Sequence, residues 1–270
     1  LIKHLVLELT SRCNANCWYC TKHFEKEFHD MPLELAKNII DQMPNTVTVH
    51  PHNNGEPLLY PYLLDVISYA KKREHKVHLI SNGSLFTNDM CERLINANVD
   101  QIAFSMDGYD KETFEANRIG LSWEKTLSNV KNFLKINRGR VRPVLALTIV
   151  PNIDVKKYDE FWIKQGFKFQ HIDHSRQLSI MSKEQILSHP FESRFPNISC
   201  DKPFTQLAVK SNGDVVFCCR DTMACYVQGN LYRESVKQVL ENRKPFLKNI
   251  EDNISIPTLC VTCGVGYSES

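Results

Sequence analysis

Through the first two-thirds of the chain, short apolar runs of strand length alternate with stretches of helical periodicity, and this alternation narrows the possible folds more than any other feature. The strand-like runs are Leu5–Leu9, Val47–His50, Val77–Ser81, Gln101–Ser105, Val144–Val150 and Phe169–Asp173. Between them lie the amphipathic stretches Leu33–Gln42, Pro61–Lys72, Asn88–Ala97, Trp123–Asn137 and Tyr158–Gly166. In "LLDVISYAKK" and "MCERLINANV" apolar residues return every three to four positions, which places them on one helix face. Asn88 stands where an N-cap is expected. Strands interleaved with helices imply a parallel sheet with right-handed crossovers. Functional side chains should then gather at the C-terminal ends of the strands.

The pattern changes near Pro190. "TQLAV" and "DVVFC" read as a hairpin turned at Ser211-Asn212-Gly213-Asp214. A short helix over Val236–Asn242 and a Cys260-Val-Thr-Cys263 tail follow. Two domains are expected, residues 1–185 and 186–270. With 270 residues, 42% of them hydrophobic, the chain can bury a full core. A net charge of +2, with no basic stripe interleaved with aromatics, speaks against a nucleic-acid partner. No apolar run reaches the ~20 residues of a membrane span, and no signal-peptide pattern opens the chain. The first residue is Leu1 rather than Met, so a few native residues are expected to be missing.

The chain has 10 cysteines. A secreted protein would use them as disulfides, an intracellular one for metal or redox chemistry. Their clustering favours metal. The tightest cluster is Cys13-x3-Cys17-x2-Cys20, which directly follows the first strand. Three thiolates on one loop can hold three irons of a cubane and leave the fourth iron open to a small ligand. A structural zinc site wants four closed ligands, and no histidine stands beside these three.

This spacing, with the aromatic Tyr19 before the third cysteine, resembles the motif of the radical S-adenosylmethionine (SAM) superfamily. "NNGEP" after strand two is similar to the family's Gly-Gly-Glu-Pro turn, with Asn54 in place of the first glycine. The resemblance implies that Asn54, Gly55, Glu56 and Pro57 meet the SAM amino group, Gly55 by close backbone approach and Glu56 by holding the turn. "SNGS" (Ser81, Asn82) and "SMDG" (Ser105, Asp107) are similar to two further strand-end signals. Arg118 resembles an arginine near the SAM carboxylate, and Ile149 would lie near the adenine. Taken singly, the Asn-Gly and Asp-Gly pairs are ordinary turns and Arg118 is a solvated helix-end charge; their order along the strand ends gives them weight. The family implies a partial (β/α)6 TIM-like barrel over residues 1–185. It also implies a [4Fe–4S] cluster on Cys13, Cys17 and Cys20, which cleaves SAM to a 5′-deoxyadenosyl radical that takes a substrate hydrogen atom.

The C-terminal cysteines resemble the twitch domain, a shortened form of the SPASM domain, as in the 2-deoxy-scyllo-inosamine dehydrogenases. The resemblance implies a small α+β domain over 186–270, with an auxiliary [4Fe–4S] cluster on Cys200, Cys218, Cys260 and Cys263. Cys219 is the alternative to Cys218, and a four-cysteine zinc site has the same spacing. A cluster fully ligated by protein has no open iron for substrate, so its expected role is electron transfer. Cys225, and after it Cys219, are candidate hydrogen-atom donors if the reaction is an epimerisation; otherwise they are packed or exposed thiols. Cys91 reads as core. By alternation His50 and His52 share one face, turned toward the cavity. His171, Asp173, His174 and Arg176 stand at the end of strand six, where His174 or Arg176 could serve as acid or base; each taken alone reads as an ordinary loop side chain.

The expected function is radical SAM oxidation of a small polyhydroxylated substrate such as an aminocyclitol or sugar, with the auxiliary cluster as electron acceptor. A peptide maturase or epimerase is the first alternative, and a non-catalytic zinc or iron–sulfur binding protein the second. The family resemblance implies a flavodoxin or ferredoxin reductant. The oxygen sensitivity of such clusters points to the cytoplasm.

Overall fold

The computed structural model describes residues 1–25, 27–148, 150–167, 171–173, 191–192, 200–252 and 254–263. Six strands run parallel in chain order: β1 (His4–Leu7), β2 (Thr48–His50), β3 (Lys76–Ser81), β4 (Gln101–Ser105), β5 (Arg142–Leu147) and β6 (His171–Asp173). All six expected strands are present. Helices α1 (Leu33–Asp41), α2 (Leu63–Lys72), α3 (Asn88–Asn96), α4 (Lys111–Asn117), α5 (Trp123–Asn137) and α6 (Val155–Lys164) connect them. The sequence pattern missed α4, whose seven residues are too few for a clear period; a capping box between Asp110 and Thr113 starts it. Asn88 is not the cap of α3. Thr87 is, its side chain accepting the Met90 N–H, and Asn88 is the first helical residue.

Strand alternation sorts the side chains into two layers. Leu5, Leu7, Val77, Leu79, Ile102 and Phe104 face the helices and are fully buried in the main core. There Phe86, Phe104 and Phe133 stack edge to face. The opposite face carries small or polar residues: Val6 and Ala208 in one cluster, Ala103, Val144 and Ala146 in another. Small side chains on the concave face leave a partial barrel with space inside it.

The C-terminal segment joins this sheet. One helical turn, α7 (Lys202–Thr205), leads into β8 (Gln206–Val209), which pairs in parallel with β1, His4 opposite Gln206. The expected hairpin follows as β8 with β9 (Asp214–Val216), and Gly213 supplies the positive φ of +81° that the turn needs. With β10 (Val227–Asn230) the sheet order is β10-β9-β8-β1-β2-β3-β4-β5-β6. β7 (Phe191–Glu192) pairs with β11 (Ile256–Pro257), and α9 (Thr258–Cys263) ends the described chain. The helix expected to stop at Asn242 continues: α8 spans Val236–Glu251 with Pro245 inside it. Proline deletes one helical hydrogen bond and frees the carbonyl of Glu241. Both residues are exposed, so water can take that carbonyl. Among the described residues no helix is long and apolar enough to cross a membrane.

Candidate active site

Between β1 and α1 the described residues 8–25 and 27–32 form a loop pinched at its base. Ser11 N–H donates to His29 O at 3.0 Å, Met31 N–H to Leu9 O at 2.8 Å, and Arg12 pairs with Asp30 at 2.5 Å. On the loop, Cys20 N–H donates to Cys17 O at 2.9 Å. Lys22 spends its ammonium on the carbonyls of Cys13 and Ala15, at 3.2 and 2.6 Å. Two amides are aimed at thiols: Ala15 N–H at Cys13 Sγ (3.5 Å) and Lys22 N–H at Cys20 Sγ (3.4 Å). Hydrogen bonds to sulfur are one of the means by which a protein tunes an iron–sulfur cluster. Burial pushes the Cys13 thiol up to about 11 and raises that of Cys20. Metal must therefore displace protons to bind here.

The loop forms one end of a cavity of about 420 Å³ inside the partial barrel. Cys13, Cys17, Cys20, Tyr19, Asn54, Gly55, Glu56, Ser81, Asn82, Ser105 and Arg118 all line it. Predicted residues from the ends of β2, β3 and β4, from the loop after β1 and from the C-cap of α4 thus meet in one lumen. Glu56 holds them together from beneath. Its carboxylate accepts from Ser81 Oγ at 2.7 Å, Asn82 N–H at 2.8 Å and Leu58 N–H at 3.2 Å, binding the end of β2 to that of β3. Pro57 is buried in the one-turn helix that follows. Asn82 donates to Asn14 Oδ1 at 2.9 Å, which anchors the cysteine loop. A Cβ on Gly55 would stand 2.1 Å from Thr10 O and 2.7 Å from Arg12 O. The close approach that requires glycine here is to the root of the cysteine loop.

Asp107 is fully buried and does not line the lumen. It accepts from Tyr19 Oη and from Thr148 N–H, and pairs with Arg118 at 2.5 Å. Arg118 also points Nη1 at Cys17 Sγ, 3.8 Å away, while its Nε is buried without a partner. A buried orphan donor on a lumen-lining arginine suits an anionic group such as the SAM carboxylate. Ile149, His174 and Arg176 lie outside the described residues.

Farther along the lumen His4, His50, His52 and His78 come together from β1, β2 and β3 and the residues after β2. His4 Nδ1 and His50 Nε2 are 3.0 Å apart, and the His50 ring lies 5.7 Å from that of His52 and 5.5 Å from that of His78. His52 Nδ1 accepts the Ile80 N–H at 3.1 Å, which leaves its proton on Nε2. Burial, then repulsion from His78, pushes His52 down to about 3; burial also lowers His50, His4 and His78. Among the described residues no three His, Cys, Asp or Glu side chains converge to hold a single metal ion, here or at the cysteines. The rings are neutral hydrogen-bonding groups. Sequence reading found His50 and His52; His4 and His78 belong to neighbouring strands and showed no local signal.

A second, small void of about 20 Å³ is walled by Cys200, Cys218, Cys260 and Cys263 with Lys202, Pro203, Phe217, Arg220 and Leu259. The four predicted cysteines are brought together. Cys218 faces this void, while its neighbour Cys219 faces the lumen. Here too amides serve the sulfurs, Lys202 N–H at Cys200 and Arg220 N–H at Cys218. Burial pushes Cys260 up to about 12. Arg243 of α8 fastens the wall, donating to the carbonyls of Pro203 (2.9 Å), Phe217 (3.1 Å) and Gln206 (3.2 Å). Cys225 lines neither cavity; it packs in the apolar cluster of Phe217, Cys218 and Tyr226, its amide held by Asp221 at 2.7 Å. Cys91 is fully buried core, as expected.

One linkage had no sequence signature beyond a charged residue on a strand pattern. Buried Lys210 bridges Glu8 (3.0 Å) and Glu25 (2.6 Å), and Thr21 meets Thr222 at 2.6 Å. These contacts bind the cysteine loop to the C-terminal hairpin.

Residues 200–264 match the SPASM model, an iron–sulfur cluster-binding domain. The chain is 37% identical over 110 residues to the tungsten-containing aldehyde ferredoxin oxidoreductase cofactor-modifying protein of Pyrococcus furiosus, covering 39% of this chain and 31% of that one. It spans about a third of the length of that relative and of a second curated one. Among solved structures, BtrN in complex with AdoMet and 2-DOIA aligns with a TM-score of 0.64 at 18% identity, over 94% of this chain and 89% of its own. anSMEcpe with bound AdoMet and a Cp18Cys peptide aligns at 0.70 and 18%, over 95% and 84%. Likenesses at that identity establish the shared fold. Residues 7–160, more than half of the chain, match the radical SAM model. The chain belongs to the radical SAM superfamily and carries a SPASM iron–sulfur domain, so its cofactors are SAM, a [4Fe–4S] cluster and auxiliary iron–sulfur.

Proposed function

We propose that this protein is a radical SAM oxidoreductase that removes a hydrogen atom from a small polyhydroxylated substrate, an aminocyclitol or sugar, and passes an electron to an auxiliary [4Fe–4S] cluster. The observation that carries this reading is the single lumen that joins the three-cysteine loop to the wall of the four-cysteine site. Cys13, Cys17 and Cys20 would hold the first cluster, and Cys200, Cys218, Cys260 and Cys263 the second. When bound, the first cluster and SAM supply a 5′-deoxyadenosyl radical able to take hydrogen from an unactivated C–H bond.

The chain's own residues bind, orient and exclude. Asn54, Gly55, Ser81, Asn82, Ser105 and Arg118 would seat SAM, braced by Glu56, Pro57, Tyr19 and Asp107. Ile149 is assigned to the adenine and His174 and Arg176 to acid–base work, on sequence alone. His52 keeps its Nε2–H, and His4 and His50 each keep one ring nitrogen beyond their mutual bond, groups that suit hydroxyls. Their depressed basicity makes them hydrogen-bond partners rather than bases. A lumen of about 420 Å³ suits small ligands. A flavodoxin or ferredoxin as reductant, and a cytoplasmic setting, belong to the same proposal.

A peptide maturase or epimerase is the second reading. The neighbouring structure with a bound peptide favours it. In an epimerase the hydrogen donor would be a thiol, and Cys219 faces the lumen where Cys225 does not.

The test is anaerobic turnover with a panel of aminocyclitols, sugars and peptides, scored by 5′-deoxyadenosine released above the substrate-free rate. Stimulation by polyols, with an oxidised product, supports the first reading. Stimulation by peptides alone, or solvent deuterium entering an unoxidised product in a Cys219-dependent way, replaces it with the second.

A further inference from the structure

Beside Cys20, the residues Lys210, Glu25, Asn54, Thr21 and Thr222 close a ring of contacts. Lys210 Nζ donates to Glu25 Oε1 at 2.6 Å and to the Thr222 carbonyl at 2.8 Å. Asn54 Nδ2 donates to the same Glu25 oxygen at 3.0 Å. Asn54 Oδ1 meets the Thr21 hydroxyl at 3.3 Å, and that hydroxyl meets the Thr222 hydroxyl at 2.6 Å. The ring joins segments far apart in sequence: Thr21 and Glu25 on the cysteine loop, Asn54 on the turn after β2, Lys210 and Thr222 after β8 and β9. Glu8, directly after β1, holds Lys210 from a further side at 3.0 Å. Burial opposes the Lys210 charge, but Glu8 and then Glu25 raise its pKa above the ordinary value, so it stays an ammonium.

The ring fixes a direction as well as a position. A carboxylate only accepts, so Asn54 must turn its NH2 to Glu25 and its oxygen away. That oxygen takes the Thr21 proton, and Thr21 takes the proton of Thr222, so the hydrogen bonds run in one sense. The oxygen stands 3.8 Å from Cys20 Sγ, one of the lumen's thiols, and Thr21 engages only one of its two lone pairs. Asn54 lines the lumen, while Glu25 and Lys210 do not. The pair therefore acts on a lumen ligand through Asn54.

We propose that Glu25 and Lys210 are positioning residues that orient the Asn54 amide as an acceptor for the amino group of SAM, so that the C-terminal hairpin sets the affinity of the N-terminal site for SAM. This rests on the seating of SAM beside Asn54 proposed above. The amino group is a cation with protons to give, and a held carbonyl oxygen is its match. Glu25 also keeps a buried oxygen, Oε2, without a hydrogen bond, so the carboxylate serves this link through Oε1 alone.

The experiment measures the dissociation constant of SAM by equilibrium dialysis against the anaerobically reconstituted full chain, with iron counted in every sample. Glu25→Ala leaves Lys210 its contacts with Glu8 and Thr222, and Lys210→Met removes the ammonium itself. Each should weaken SAM binding about tenfold, as should Asn54→Ala, the scale of one hydrogen bond to a charged group. Glu25→Ala combined with Asn54→Ala should bind no more weakly than Asn54→Ala alone, because both cuts fall in one chain of contacts. Wild-type affinity in Glu25→Ala or in Lys210→Met overturns the proposal. So does a double variant about a hundredfold weaker than wild type, which would mark a general loosening rather than action through Asn54. Iron lost from Glu25→Ala overturns it too, by making the pair part of the cluster's scaffold; iron lost from Lys210→Met alone leaves the decision to Glu25→Ala. Wild-type affinity in Asn54→Ala would instead remove the seat assigned to SAM, and this inference with it.

Discussion

At the N-terminal site three thiols on one pinched loop face a lumen of about 420 Å³; at the C-terminal site four thiols from α7, β9 and α9 and their flanks face a void of about 20 Å³. Both aim backbone amides at sulfur two residues back. They differ in the number of donors and in what lies on the open side. Three donors beside a large cavity leave room for an exogenous ligand. Four donors around a small void close the site to substrate and suit electron transfer. Similar local chemistry thus supports two roles, and the surrounding packing decides which.

The strongest way to break this comparison is to remove one site at a time. The Cys13/Cys17/Cys20→Ala triple variant should lower iron from about eight to about four per chain and abolish 5′-deoxyadenosine formation. Residual SAM cleavage there would place the chemistry elsewhere. Cys260→Ala with Cys263→Ala should also cost about four irons, yet spare SAM cleavage while product formation falls by roughly two orders of magnitude. If SAM cleavage vanished as well, the two sites would not have separate roles.

A smaller effect sharpens the account of the first site. Asp107→Asn leaves Arg118 buried without its counter-charge and weakens the tie to Tyr19. Breaking a buried pair this way costs about 3 kcal/mol, to be read as a lower urea midpoint at unchanged m-value.

The smallest concerns the lumen histidines. His52 is neutral in the fold well below its ordinary range, with a pKa pushed down to about 3. The unfolded chain binds that proton from about pH 6.5 downward. Stability should therefore fall as pH drops from about 6.5 toward 3, and rise in the opposite direction. His52 borders an open lumen, so solvent screening limits the term to ~1–2 kcal/mol. His52→Asn should flatten the dependence of Tm on pH over that window; an unchanged slope would mean that His52 is hydrated and titrates normally.

Much of the barrel was legible before folding, because side-chain alternation and helical period are local properties of the chain. β4 (Gln101–Ser105) and α5 (Trp123–Asn137) have the ends that periodicity implies. The errors have local causes as well. Proline reads as a stop, yet Pro245 sits on an exposed face where the freed carbonyl is hydrated. Thr87 and Asn88 are both good caps, and only backbone geometry chooses Thr87.

By itself the sequence determined the N-terminal site. Three cysteines within eight residues after a strand must end up together in any fold that forms the strand, since chain connectivity holds them close. Distant positions needed the tertiary structure. Cys218 and Cys219 are adjacent and chemically identical, and the packing of the hairpin under Arg243 turns one to each cavity. His4 and His78 meet His50 because β1, β2 and β3 are neighbours in the sheet. Lys210 finds Glu8 because β8 pairs with β1. Strand pairing and burial are non-local, and no spacing along the chain encodes them.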